Sequence, residues 1–280
     1  TFYYLDMFRK RFGRQYAYAY TTFLTEEDYR PLHNDARWTA FMDSMRIYKH
    51  EDEDKREIAY PKKAVVKDTN APTVKRYDIM LYIDVEKKKL AVTTTALIDF
   101  KGRESIDFTL WKNSTINHIR CKKKELAYSF DTKDESTNTY IRQGAPLHLT
   151  APKNKGICSI AFDYTCNLDS IDTWMSSMEK DWVQLGYYIA WFPVNNDSRD
   201  FTANVSISIN KDYTVSGSGI VERKGDKWKM SQTWGSFDLQ IVASPSLKSK
   251  KMTNNGRTFE VVYTDFADAD ADSALVACSK

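Results

Sequence analysis

From Val74 onward, apolar and polar residues alternate with a period of two, and this pattern restricts the chain more than any other feature. Tyr77, Ile79, Leu81, Ile83 and Val85 alternate with Arg76, Asp78, Met80, Tyr82 and Asp84. Successive side chains of a strand point to opposite faces, so this is a half-buried antiparallel strand. The polar stretch Glu86 to Lys89 turns the chain into a β-branched run at 90–100, and Lys101-Gly102 turns it again before Ile106, Phe108 and Leu110. Similar runs hold Leu126, Tyr128 and Phe130; Leu147 and Leu149; Ile160, Phe162 and Tyr164; and Phe201, Ala203, Val205, Ile207 and Ile209. Leu239 with Ile241, and Val261 with Tyr263, close the series. About ten short strands joined by Lys, Gly, Asn and Asp turns predict a mainly β chain, an antiparallel β-sandwich rather than a parallel α/β sheet.

The pattern differs at both ends. In residues 1–60, Leu5, Phe8 and Phe12, then Trp38, Phe41, Met45 and Tyr48, recur at helical spacing, which predicts a helical amino-terminal extension. The charged run at 51–57 reads as a solvated helix end or linker. Residues 61–265 form the expected sandwich and 266–280 the start of a following domain. Within 167–188, Trp174, Met175, Met178 and Trp182 predict a short helix or an excursion over one sheet end.

Composition excludes some functions. Forty-one basic residues against 38 acidic ones give a net charge of +3, which offers no reason to expect a nucleic acid or an anionic membrane surface as partner. No stretch approaches the ~20 apolar residues of a membrane span. The chain starts at Thr1 without an initiator Met, which we read as processing or excision, and we expect an extracytoplasmic location with tethering by a segment absent here.

Catalytic motifs are scarce. His33, His50, His118 and His148 lack a Glu-x-x-His partner, and no nucleophile elbow or glycine-rich phosphate loop occurs. Cys121, Cys158, Cys166 and Cys278 show no metal-ligand spacing. Cys158 and Cys166 on one extended strand stand beyond disulfide reach, a bridge from Cys121 is geometrically open, and four free, buried thiols are the default expectation. Asp265, Asp268, Asp270 and Asp272 imitate the start of a calcium loop, but Ser273 replaces the required Gly, and a helix N-terminus explains them better.

The most specific segment is 185–219. Trp191, Phe192, Pro193, Asp197, Phe201, Val205, Ile207, Ile209, Tyr213 and Gly219 reproduce an aromatic-Phe-Pro element, an acidic turn, a strand and a glycine turn. Together with the strand from Val74 and the segment LQIVASPSLK, this resembles the amino-terminal β domain of aminopeptidase N-like gluzincin zinc metallopeptidases. The resemblance spans about 74–265, and one departure is Asn195-Asn196-Asp197-Ser198 in place of the usual acidic-Pro ending.

What the resemblance implies is a saddle-like sandwich packed on a catalytic domain that carries HExxH and zinc, neither of which belongs to these residues. The chain itself is then expected to be non-catalytic and to need no cofactor, with its partners the following catalytic domain of the same polypeptide and a peptide substrate. Gln184, nine positions before Pro193, matches a family glutamine that lines the pocket for the first substrate residue, although a surface glutamine is the simpler reading. Trp191, Phe192 and Pro193 are the expected domain-docking residues. Two other functions remain open: an extracytoplasmic interaction module without peptidase activity, in a membrane transporter assembly for example, and a carbohydrate-binding sandwich stacking sugars on Trp182, Trp191, Trp228 or Trp234.

Overall fold

A computed structural model describes residues 68–133, 141, 143–171, 176–264 and 267–278. The expected helical extension, with His33, His50 and the charged run, lies outside the described residues, as do Trp174, Met175 and Asp265.

The alternating run from Val74 becomes the long strand β1 (Thr73–Asp84), followed by β2 (Lys89–Asp99), β3 (Ser105–Trp111) and β4 (Ser114–Cys121). Short strands β5 (Lys124–Glu125) and β6 (Tyr128–Phe130) lead to β7 (Gly144–Thr150) and β8 (Ile157–Asn167). Two short strands, β9 (Ser177–Met178) and β10 (Val183–Leu185), precede β11 (Phe201–Ser208), β12 (Thr214–Gly217), β13 (Ile220–Lys224) and β14 (Lys227–Ser236). The last strands are β15 (Ile241–Ser244), β16 (Lys248–Asn254) and β17 (Arg257–Tyr263), and a helix, α1 (Asp268–Cys278), follows.

The chain is mainly β. Its largest sheet has eight strands in the order β13-β14-β11-β1-β2-β8-β4-β5, and smaller sheets are β3-β7-β6, β12-β15-β10-β9 and β16-β17. Lys101 and Gly102 both take positive φ (48° and 78°), the backbone of a tight turn that feeds β3.

One core cluster joins the inner face of the eight-stranded sheet to the three- and four-stranded sheets. Phe108 of β3 meets Phe162 of β8 edge to face at 5.5 Å, and the alternating residues Tyr77, Ile79, Leu81 and Ile83 of β1 are all buried.

Two details of the fold were not visible in the sequence. The sandwich is not wholly antiparallel: β1 runs parallel to β11, with Arg76 opposite Thr202 and Tyr82 opposite Ser208. Strands this distant in sequence leave room for the crossover that parallel pairing requires, and here it passes through the opposing smaller sheets. Within 167–188, where a short helix or an excursion over one sheet end was expected, the described residues form no α-helix, and a 3-10 turn begins at Tyr187. Met178 and Val183 belong to paired strands β9 and β10, because Val183 and Leu185 alternate into the core with period two.

Candidate functional site

The segment after β10 crosses between the layers. Val183 and Leu185 point inward and leave Gln184 on the outer face of the four-stranded sheet, partly exposed, where its side-chain oxygen accepts a hydrogen bond from Trp182 Nε1 at 3.2 Å. The backbone of Gln184 lies between Ser177 and Val242 on the neighbouring strands, which fixes its position. A short 3-10 turn, Tyr187–Ile189, ends at Ala190 with φ 43°, and the chain then dives into the core.

Trp191, Phe192 and Pro193, the expected domain-docking residues, lie in the interior of this chain. All three are buried, and Trp191 and Phe192 have no measurable exposure. Buried polar groups must find partners, and two carbonyls of this segment find theirs inside: Tyr77 Oη donates to Pro193 O at 2.6 Å and Tyr164 Oη to Trp191 O at 3.1 Å. Burial raises both phenols well above the ordinary tyrosine range, so they remain protonated donors. Trp191 Nε1 in turn donates to Leu239 O at 3.2 Å. Thr109 and Val194 exchange backbone bonds of 2.7 and 2.9 Å.

The unusual 195–198 turn is structural as well. Asn195 Nδ2 donates to Asp107 O at 2.8 Å, Ser198 Oγ donates to Asn195 Oδ1 at 2.5 Å, and the Val74 amide donates to Ser198 Oγ at 2.6 Å. This network ties the start of β1 to the crossing segment.

Beside Gln184 the structure gathers residues that sequence reading passed over. Tyr187 packs edge to face on Phe237 at 5.8 Å and on Tyr188 at 6.3 Å. Asp238 is largely buried next to them. It accepts from the Gln240 side chain and from the amides of Leu239 and Tyr187, yet its Oδ1 has no partner among the described residues. Burial raises its carboxyl above the ordinary aspartate value, with those hydrogen bonds opposing the rise. The one sequence signal was a carboxylate set between Phe237 and Leu239 just before an apolar strand. Gly186, two residues after Gln184, has the Gln240 side chain about 3.8 Å from where its own would begin.

The remaining candidates separate. Trp191 is internal, Trp228 lies under the Arg223 guanidinium at 5.6 Å, Trp182 bonds Gln184, and Trp234 is 49% exposed, so these four do not make one exposed stacking face. Asp268 and Asp270 occupy the first turn of α1, where acidic side chains oppose the positive helix end. Asp272 pairs with Lys250 at 2.8 Å and Asp268 accepts from Tyr263 Oη at 3.0 Å. His118 pairs with Glu125 at 2.9 Å and His148 with Asp107 at 2.6 Å, both at the surface. Among the described residues, no three His, Cys, Asp or Glu side chains stand together as a metal site. The four cysteines are free, but only Cys166 is fully buried; Cys121 and Cys158 are half-buried and Cys278 is exposed. Among the described residues, no helix is long and apolar enough to cross a membrane.

The architecture is that of a β domain found in zinc metallopeptidases of the M1 class. Yeast (Saccharomyces cerevisiae) leukotriene A4 hydrolase in its native form matches at a TM-score of 0.50 and 14% identity over 71% of this chain and 33% of its own. An M1 zinc metallopeptidase from Deinococcus radiodurans matches at a TM-score of 0.51 and 12% identity over 73% of this chain and 51% of its own. A two-domain M1 zinc metallopeptidase mutant bound to L-arginine gives a TM-score of 0.51 at 12% identity, covering 71% and 49%. This chain thus spans between a third and a half of the length of those proteins, and at such identity the likeness is one of fold. No protein-family model and no curated protein matches the sequence.

Proposed function

We propose that this chain is the non-catalytic β domain of a zinc aminopeptidase-like protein, and that it shapes the entrance through which a peptide reaches a catalytic domain of the same polypeptide. The observation that carries this reading is the outward presentation of Gln184 on a strand locked between two neighbours, in a fold shared with M1 zinc metallopeptidases. An amide on a rigid strand can both donate to and accept from the first residue of a peptide. The zinc and its ligands belong to the catalytic domain; this chain contributes shape and hydrogen bonds.

Docking falls to surface side chains, because Trp191, Phe192 and Pro193 are committed to the core. The Tyr187, Tyr188 and Phe237 cluster, with Phe237 57% exposed, offers an aromatic rim for that contact. The test is Gln184→Leu in the zinc-loaded longer product of the reading frame, assayed with aminoacyl amides. The expected result is a KM raised about tenfold, the value of one hydrogen bond to a charged group. An unchanged KM, with wild-type thermal stability, would remove Gln184 from the substrate site.

A further inference from the structure

The eight-stranded sheet buries one face in the core and turns the other, the face of Met80, Thr93 and Ser206, outward. Two cavities of about 690 and 320 Å³ lie on this outer face and share those three residues, so they form one trough. It crosses the strands from Ile220 of β13 to Asn117 of β4. Six steps of ~4.8 Å between neighbouring strands give a length of about 29 Å, room for several linked rings rather than one.

Strand register keeps the floor open. Tyr82 stands between Ser208 and Ala91, and Met80 between Ser206 and Thr93. Neighbours this small cannot cover the larger side chains, and Tyr82 and Met80 remain 53% and 61% exposed. None of Trp182, Trp191, Trp228 and Trp234 lines the trough.

Hydroxyl groups dominate the rest of the floor. Thr93, Thr95, Ser206 and Ser208 are half-buried, and their hydroxyls have no hydrogen-bond partner among the described residues. Each can donate once and accept twice. Amides and carboxylates beside them are held in place: Ser231 Oγ donates to Asn204 Oδ1 at 3.1 Å, Asn204 Nδ2 to Asp78 Oδ1 at 3.0 Å, and Asn117 Nδ2 to Asp163 Oδ1 at 2.7 Å. Charge is balanced, since Asp78, Asp163 and Glu222 line the cavities together with Lys224, Lys227 and Lys229, so the trough favours neither a polyanion nor a polycation. An extended polypeptide would pair through its backbone with a sheet edge, and this face presents side chains only. The complementary ligand is uncharged, elongated and dense in hydroxyls, with ring faces that pack on an aromatic side chain.

We propose that the outer face of the eight-stranded sheet binds a neutral oligosaccharide, its rings packed on Tyr82 and Met80 and its hydroxyls bonded to Thr93, Ser206 and the Asp78–Asn204 pair. The 280-residue chain is titrated calorimetrically with cellohexaose, xylohexaose, maltohexaose and N-acetylchitohexaose, and with a glycine-serine peptide and a polyuronate of matching length for comparison. The expected result is a Kd below about 1 mM for one or more of the neutral sugars, unchanged by added salt because the ligand carries no charge. Tyr82→Ala weakens that binding about tenfold and Ser206→Ala about fivefold, each with a Tm near wild type, whereas Trp234→Ala leaves it unchanged. Failure of every neutral sugar to bind, tighter binding of the peptide or the polyuronate, or sugar binding that Tyr82→Ala and Ser206→Ala both leave intact would each overturn the proposal.

Discussion

Replacing Trp191 by Ala tests whether the aromatic-Phe-Pro element builds the core or faces a partner. Trp191 is fully buried, packs on Phe192 at 5.2 Å with an interplanar angle of 66°, and donates to the Leu239 carbonyl. Truncation exposes about 200 Å² of apolar surface in the accounting, worth about 5 kcal/mol at ~25 cal/mol per Å². It also leaves Leu239 O unsatisfied, at a cost of about 1–3 kcal/mol. Relaxation around the cavity recovers part of this, and measured Trp and Phe truncations fall at about 3–5 kcal/mol. For a domain of this size the loss appears as a fall in Tm of about 10 °C, or as a lower urea midpoint at unchanged slope. The exposed Phe237→Ala should shift stability by no more than about 0.5 kcal/mol. Equal, small effects for the two variants would refute the burial of Trp191 and return it to the surface.

Asp238→Asn should raise Tm near neutral pH. Burial raises the Asp238 pKa above the ordinary aspartate value of 3.8, so its protonated form is favoured on folding, and its contribution is fully present below pH 3.8 and lost as pH rises through the folded value. The advantage of the variant should therefore shrink toward zero in acid, and a Tm difference independent of pH would contradict this. Gly219→Ala should be destabilising, because an added Cβ would stand 2.7 Å from Ser231 O and 2.9 Å from its carbonyl carbon; chemical denaturation that places it level with wild type would show that the β13 and β14 backbones can separate.

The period-two pattern made the large strands legible: β1, β2, β3, β7, β8, β11 and β17 each contain an alternating run visible in sequence. Partner choice was not visible there. The parallel pairing of β1 with β11 depends on which edges remain after the hairpins close, a tertiary outcome without a local signature. Within 167–188, the spacing of Met178 and Trp182 fits a helical period as well as it fits two very short strands, and short apolar runs do not separate the two.

The placement of the candidate residues was less legible than the strands. Gln184 was singled out only through the family resemblance, and it stands on the outer sheet face. The burial of Trp191, Phe192 and Pro193 was not legible, because a run of large apolar residues looks alike whether it fills its own core or covers another's. Asp238 was invisible, since only folding brings its carboxylate under the amides of Tyr187 and Leu239.

The most direct test of the proposed role is a hydrolysis assay of the 280-residue chain beside the longest product of its reading frame, each supplied with zinc, against a panel of aminoacyl fluorogenic amides. Release of fluorophore by the longer product alone is the predicted result. Turnover by the 280-residue chain, or silence in both, would contradict its role as the entrance domain of a zinc aminopeptidase-like protein.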